Sequence, residues 1–209
     1  MNKDLVLTMI PEWPQLPASC EKALLEQFLR AEAMALWAVR SSQLHAVPAK
    51  ARVFLERHEA DEQAHLSQFE CLLGQRARGR DQLPAMPQQW PVLAVQLYGY
   101  EMLGLAFAKF LVGVRPDLLS ILQDERRHVG FFEQEVKALL TSNSSAVAQA
   151  RAAARAWRRK LPRTLNRYLR HESFAPFRQA MANAITLTID RRFIHMGLLQ
   201  KPTVGNSIP

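Results

Sequence analysis

Twice in this chain an aspartate and a glutamate are followed, three residues after the glutamate, by a histidine. The segments are Asp61-Glu62-Gln63-Ala64-His65 and Asp124-Glu125-Arg126-Arg127-His128. On a helix, residues three apart share a face, so each glutamate and histidine can grip the same ion. Two more glutamates, Glu32 and Glu101, each interrupt an otherwise apolar stripe. Four buried carboxylates without counter-charge would be very costly. Two divalent cations cancel four carboxylates, and two neutral imidazoles complete the set. Oxygen and imidazole donors suit iron or manganese, and the lack of thiolates argues against structural zinc. The expected ligands are therefore Glu32, Glu62, His65, Glu101, Glu125 and His128. The expected cofactor is a pair of iron ions, with manganese the alternative in one or both positions.

Such a set must be positioned by four helices. The first pattern runs from about Ser19, an expected N-cap, to about Ser42. Its stripe is Leu25, Phe28, Leu29, Glu32, Ala35, Leu36 and Val39. The second starts at about Pro48, a favoured first-turn residue, and stops at Gly74. Its stripe is Leu55, His58, Glu62, His65, Leu66, Phe69 and Leu72. The third starts at Pro91 and reaches about Gly113, with Ala94, Leu97, Tyr98, Glu101, Met102, Leu105 and Ala108 on one face. The fourth runs from about Pro116 to Leu140 through Leu118, Ile121, Leu122, Glu125, His128, Val129, Phe132 and Val136.

The connections sharpen the reading. Short links join the first helix to the second and the third to the fourth, which makes antiparallel hairpins. In such a hairpin, residues equidistant from the turn lie level. Val47 is the midpoint of Glu32 and Glu62, and Gly113 that of Glu101 and Glu125. The link from the second helix to the third, roughly residues 75 to 90, is longer. Extended, it reaches about 50 Å, enough to cross a helix of about 39 Å; a loop at one end of the bundle is the alternative. A single Glu-x-x-His is weak evidence, since surface ion pairing usually explains it. Six such residues on four apolar stripes, in repeated order and at matched depth, are not.

The rest of the chain bounds the answer. Its 209 residues are 48% apolar and carry no sustained period-2 pattern, so one all-α domain with a sizeable core is expected. Residues 1–18 read as an N-terminal extension, 19–140 as the bundle and 141–209 as a C-terminal helical extension. In the extension, Ser145 to Leu161 reads as a helix stopped at Pro162. Ala175 to Leu199 reads as another, and 200–209 as a frayed tail. Cys20 and Cys71 form no metal-binding or disulfide pattern and are expected as buried thiols. No signal-peptide core and no run of about 18 apolar residues is evident. A cytoplasmic location fits, with peripheral contact at the inner membrane also compatible.

The order Glu, Glu-x-x-His, Glu, Glu-x-x-His resembles the ferritin-like di-iron carboxylate superfamily over residues 19–140. That resemblance implies a four-helix bundle with one long crossover between helices two and three. It implies that Glu62 and Glu125 bridge the metals, with Glu32 and His65 terminal on one and Glu101 and His128 on the other. It also implies that Asp61 and Asp124 accept hydrogen bonds from the ligand imidazoles. His58, four residues before Glu62, and Tyr98, three before Glu101, are expected behind the ligands, hydrogen-bonding one of them or tuning the oxygen chemistry. Residues at such places are more often satisfied core positions.

The implied function is O2 activation for oxidation of an organic substrate, a di-iron monooxygenase or hydroxylase. The alternative is a ferroxidase, peroxidase or iron-storage protein. A hydroxylase would need a small-molecule or carrier-bound substrate and an external electron donor, and a homodimer is a compatible assembly. The net charge of +8 gathers at Arg76 to Arg80 and Arg151 to Arg170. That basic C-terminal region suits RNA, an anionic membrane or an acidic protein. A solvated helix face packed on the bundle is the plainer alternative.

Overall fold

The computed structural model describes residues 13–77 and 85–200. Among them every regular element is helical and no strand occurs. The described residues form six α-helices: α1 Glu21–Gln43, α2 Ala49–Leu73, α3 Trp90–Val114, α4 Leu119–Leu140, α5 Ser144–Tyr168 and α6 Arg178–His195.

The helix ends follow local chemistry, with corrections to the expected caps. Ser19 does not cap α1. It lies in a 3-10 turn, Ala18–Cys20, and no side chain bonds the first turn of α1. Pro48 stands at the N-cap of α2 rather than inside its first turn. Gly74 ends α2 in the left-handed conformation at φ 62°, which glycine adopts without steric cost. Pro162 does not stop α5. The helix continues through it to Tyr168, with the proline on the exposed side. The last helix is shorter than expected at both ends: residues 175–177, around Pro176, form a turn before it, and 196–199 turn away after His195.

Side-chain contacts fix the directions of α1 to α4. Phe28 stacks on Phe69 with ring centroids 5.0 Å apart, while Arg40 bonds Glu59, so α1 and α2 are antiparallel. His65 meets Asp124 and His128 meets Asp61, so α2 and α4 are antiparallel. Glu101 faces His128 and Gly104 faces Glu125, so α3 and α4 are antiparallel as well. Helices α2 and α3 must then point the same way. The end of α2 and the start of α3 therefore lie at opposite ends of the four helices. Arg115, after α3, bonds Glu21 at the start of α1 and Asp117 before α4, tying one end together.

Most of the expected stripes are buried, those of α3 and α4 completely. The exceptions lie on α1 and α2. Ala35 and Leu66 are half-buried and Leu72 is 40% exposed. Cys20 is buried and its thiol donates to the Ser173 carbonyl at 3.3 Å, but Cys71 is exposed, contrary to expectation. Helix α3 is long and apolar enough to cross a membrane, which the sequence reading did not anticipate. Two thirds of that window, 67%, is buried inside the protein, as befits the central helix of a core.

Helix α5 lays Ala150, Ala154, Trp157, Leu161 and Leu165 inward. A Cβ on Gly99 would meet the Trp157 indole at 2.4 Å, so this glycine sets how closely α5 approaches α3. Phe193 of α6 stacks on Tyr98 and touches Trp157, each at 5.7 Å between centroids. The outer face of α5 exposes Arg155, Arg159, Lys160, Arg163 and Arg167. Arg158 is instead paired with Asp190, and Arg151 donates to the Gly197 carbonyl. Of the other basic cluster, Arg78 and Arg80 lie outside the described residues, as does the tail from 201.

Candidate metal centre

The six expected ligands meet in the middle of α1 to α4, and none is more than 6% exposed. Two groups have ligand atoms that all lie within 4.8 Å of one another. One is Glu32, Glu62, His65 and Glu125; the other is His58, Glu62, Glu101 and His128. Glu62 belongs to both. Glu125, expected as a second bridge, belongs only to the first. His58, expected behind the ligands, stands among them.

Distances within the groups suit ions. His128 Nδ1 lies 3.5 Å from Glu62 Oε1 and 3.5 Å from Glu101 Oε2. His65 Nδ1 lies 3.6 Å from Glu32 Oε2. Bonds of about 2.1 Å at roughly 90–110° would place ligand atoms about 3.0–3.4 Å apart. Six buried atoms here have no hydrogen-bond partner: Oε2 of Glu32, Glu62 and Glu125, and Nδ1 of His58, His65 and His128. Orphaned buried acceptors are expensive in a folded protein. Bound cations would satisfy the carboxylates and the inward-facing imidazole nitrogens together.

The aspartates are used crosswise. Asp124 Oδ2 lies 3.0 Å from His65 Nε2, and Asp61 Oδ2 lies 3.1 Å from His128 Nε2. Each D-E-x-x-H segment thus supplies the carboxylate that orients the other segment's imidazole. With Nε2–H donating outward, Nδ1 is left free to bind metal. Arg127 joins the pair, donating to Asp61 at 3.0 Å and to Asp124. Tyr98 points elsewhere: its hydroxyl donates to Glu133 at 3.3 Å and its ring stacks on Phe193.

The electrostatics show how the groups balance one another. Burial first, then the charge of Glu62, pushes Glu32 well above the usual carboxylate range. Burial, then Glu101 and Glu62, does the same to Glu125. Burial also opposes charge on Glu101, but His58 and His128 outweigh it and hold the group down to about 2. Glu62 is lowered in the same way, chiefly by His58. Burial disfavours the charged imidazoles, yet Glu101 and its partners raise His58 to about 9, and Asp61 with Glu101 raise His128 to about 9. The hydrogen bond from His128, aided by Arg127, lowers Asp61 to about 2. In the metal-free protein, protons take the positive charge that the carboxylates require.

The two sides of the centre differ. On the α2–α4 side the Asp–His pairs and Arg127 close it. On the α1–α3 side a cavity of about 110 Å³ reaches Glu32, Glu62, Glu101 and Glu125. A site for one water needs roughly 10–15 Å³ on the same measure, so the space suits an organic group. It exists because α1 presents Ala31, Ala35 and Ala38 there and α3 presents Gly104. A Cβ on Gly104 would meet Glu125 Oε2 at 2.6 Å. Phe28, Trp37, Leu97, Leu103 and Phe107 make the walls apolar, and Gln27, Gln96, Tyr100 and Tyr168 add polar groups. Of these, Tyr100 is 41% exposed.

Sequence reasoning missed Gly104 and the place of His58 among the clustered side chains. The spacing carried a signal for both: His58 is one turn before Glu62, and Gly104 is three residues after Glu101. Comparison with family models, curated proteins and solved structures finds no match to this chain.

Proposed function

We propose that this chain is a di-iron oxygenase or hydroxylase built on a ferritin-like four-helix bundle, oxidising a largely apolar organic substrate. The observation that carries this reading is the cavity floored by Glu32, Glu62, Glu101 and Glu125. A site built only to pass iron into storage has no need of an apolar chamber against its ligands.

Iron held by the six ligands would supply O2 activation, chemistry that no side chain here performs alone. The protein's own part is binding, orientation and exclusion of water. Phe28, Trp37, Leu97, Leu103 and Phe107 would pack against the apolar part of the substrate. Gln27, Gln96 and Tyr100 would bond its polar part. Asp61 and Asp124 hold the ligand imidazoles in one tautomer. Phe54 and Phe131, stacked at 3.7 Å between centroids, and Phe132 keep water from the α2–α4 side. Electrons must come from outside. The chain has no acidic residue between Glu135 and Glu172, so the exposed cations of α5 form the surface where an anionic donor or carrier would dock.

The test is iron uptake by the metal-free protein. Excess Fe(II) is added in air, unbound iron is removed, and iron per chain is counted. A plateau near two supports the proposal. Uptake far beyond two would replace it with iron storage, and no tight uptake would overturn it.

A further inference from the structure

Three histidines, not two, converge on the centre. His58 is fully buried. Its Nε2 lies 2.8 Å from Glu62 Oε1 and 3.5 Å from Glu101 Oε2. Its ring centroid is 3.9 Å from that of His128. Phe54 and Phe132 wall it in, at 5.5 and 6.0 Å between centroids. It reaches the group around Glu101 and is absent from the group around Glu32.

We propose that His58 is a metal ligand through Nε2, and that it serves only one of the two metal positions. The inference rests on the metal-binding part of the proposed function. The positions then differ in kind. Glu32, Glu62, His65 and Glu125 give three carboxylates and one imidazole. His58, Glu62, Glu101 and His128 give two carboxylates and two imidazoles. The more anionic, oxygen-rich set favours a harder or more highly charged ion. The nitrogen-rich set favours Fe(II), Co(II) or Zn(II) over Mn(II). The two positions should therefore differ in their affinity for a given divalent ion.

His58 also differs from its companions. His65 and His128 turn Nε2 to an aspartate and Nδ1 to the centre. His58 does the reverse, and its outward Nδ1 has no hydrogen-bond partner. Aromatic packing holds this ring where hydrogen bonds hold the other two.

The opposing idea is that His58 only donates a hydrogen bond to Glu62. Protein labelled with 15N-histidine is titrated with Zn(II), which has no redox chemistry to confuse the readout. Three imidazoles should show metal-bound nitrogen shifts, His58 at Nε2 and His65 and His128 at Nδ1. His58→Gln keeps an N–H donor toward Glu62 but loses the imidazole. It should bind one Zn(II) as the parent does and the second at least about 100-fold more weakly, beyond what loss of an orienting partner costs. Only two shifted imidazoles, or two Zn(II) bound by His58→Gln at parental affinity, would overturn the inference and leave the metal centre standing. No Zn(II) binding by the parent would overturn the metal centre itself. The labelled parent answers the question even if the variant does not fold.

Discussion

Asp61 accepts its part-buried hydrogen bond from His128, on the opposite helix of the centre, and not from His65, its neighbour in sequence. Asp124 returns the relationship to His65. Helices α2 and α4 are thus cross-linked through the imidazoles that face the metal positions. Whatever orients one imidazole also holds the two helices in register.

Loss of either aspartate should therefore loosen metal at the opposite helix's histidine. Asp61→Ala is expected to weaken binding at the His128 position by about 10–100-fold, and Asp124→Ala that at the His65 position. Competition with a chelator, read by Co(II) absorption, measures this. Arg127→Ala should cost much less, because that side chain is 59% exposed and its pairing is screened by solvent. Equal losses for all three variants would show that Arg127 is the true organiser.

Metal loading should release protons. Near neutral pH His58 and His128, raised to about 9, hold protons in the metal-free protein, and burial favours the protonated forms of Glu32 and Glu125. Two divalent ions should displace up to about four of them, countable by base uptake in weakly buffered solution. Release of fewer than about two would contradict the protonated metal-free site.

Stability follows with a definite sign. The raised imidazoles stabilise the metal-free fold fully below about 6.5 and stop doing so as pH rises through about 9. Asp61 and Glu101 stabilise above the ordinary carboxylate range and lose this as pH falls toward about 2. The rise in Tm on adding Zn(II) should therefore grow from pH 6 to pH 9. A rise that shrinks over that range would reverse this picture.

Gly104→Ala places a methyl where Glu125 Oε2 now stands. Glu125 must move, so metal affinity at the Glu32–His65 position should fall with little change in helicity. Unchanged affinity, measured beside the circular dichroism spectrum, would show that Glu125 has room to rearrange. Ala35→Phe probes the chamber instead. It should fill the cavity, leave two metals per chain, and abolish substrate oxidation or the binding of apolar ligands read by Trp37 fluorescence.

Gly99→Ala drives a methyl into the Trp157 indole. Overpacking of this kind costs about 1–3 kcal/mol. The expected outcome is a lower Tm, with metal stoichiometry kept because α5 holds no ligand. Loss of metal in this variant would show that α5 braces the centre.

Periodicity and spacing alone located the helices and the six acidic and imidazole side chains that gather between them. A 3.6-residue apolar period with one acid or Glu-x-x-His pair per stripe has few other readings, and burial of those acids demands counter-charge. The stripe of α3 was legible in full, because a helix surrounded by others must be apolar wherever it is not a ligand. Local signals were less decisive at edges. Pro162 reads as a stop, yet it stands on the exposed side of a helix whose opposite face, through Trp157, Leu161 and Leu165, is packed on α3. Ser19 reads as a cap, yet the chain enters α1 through a 3-10 turn tied to Ser173 by Cys20.

How the stripes face one another follows from the packing of the helices. Which aspartate serves which histidine depends on the register of α2 against α4, and no spacing within either helix contains it. The same register admits His58 to one group of ligands and confines Glu125 to the other. The cavity is likewise a joint property of Ala31, Ala35 and Ala38 on one helix and Gly104 on another. Small residues are silent in a single sequence, and become a chamber only where two sets of them meet.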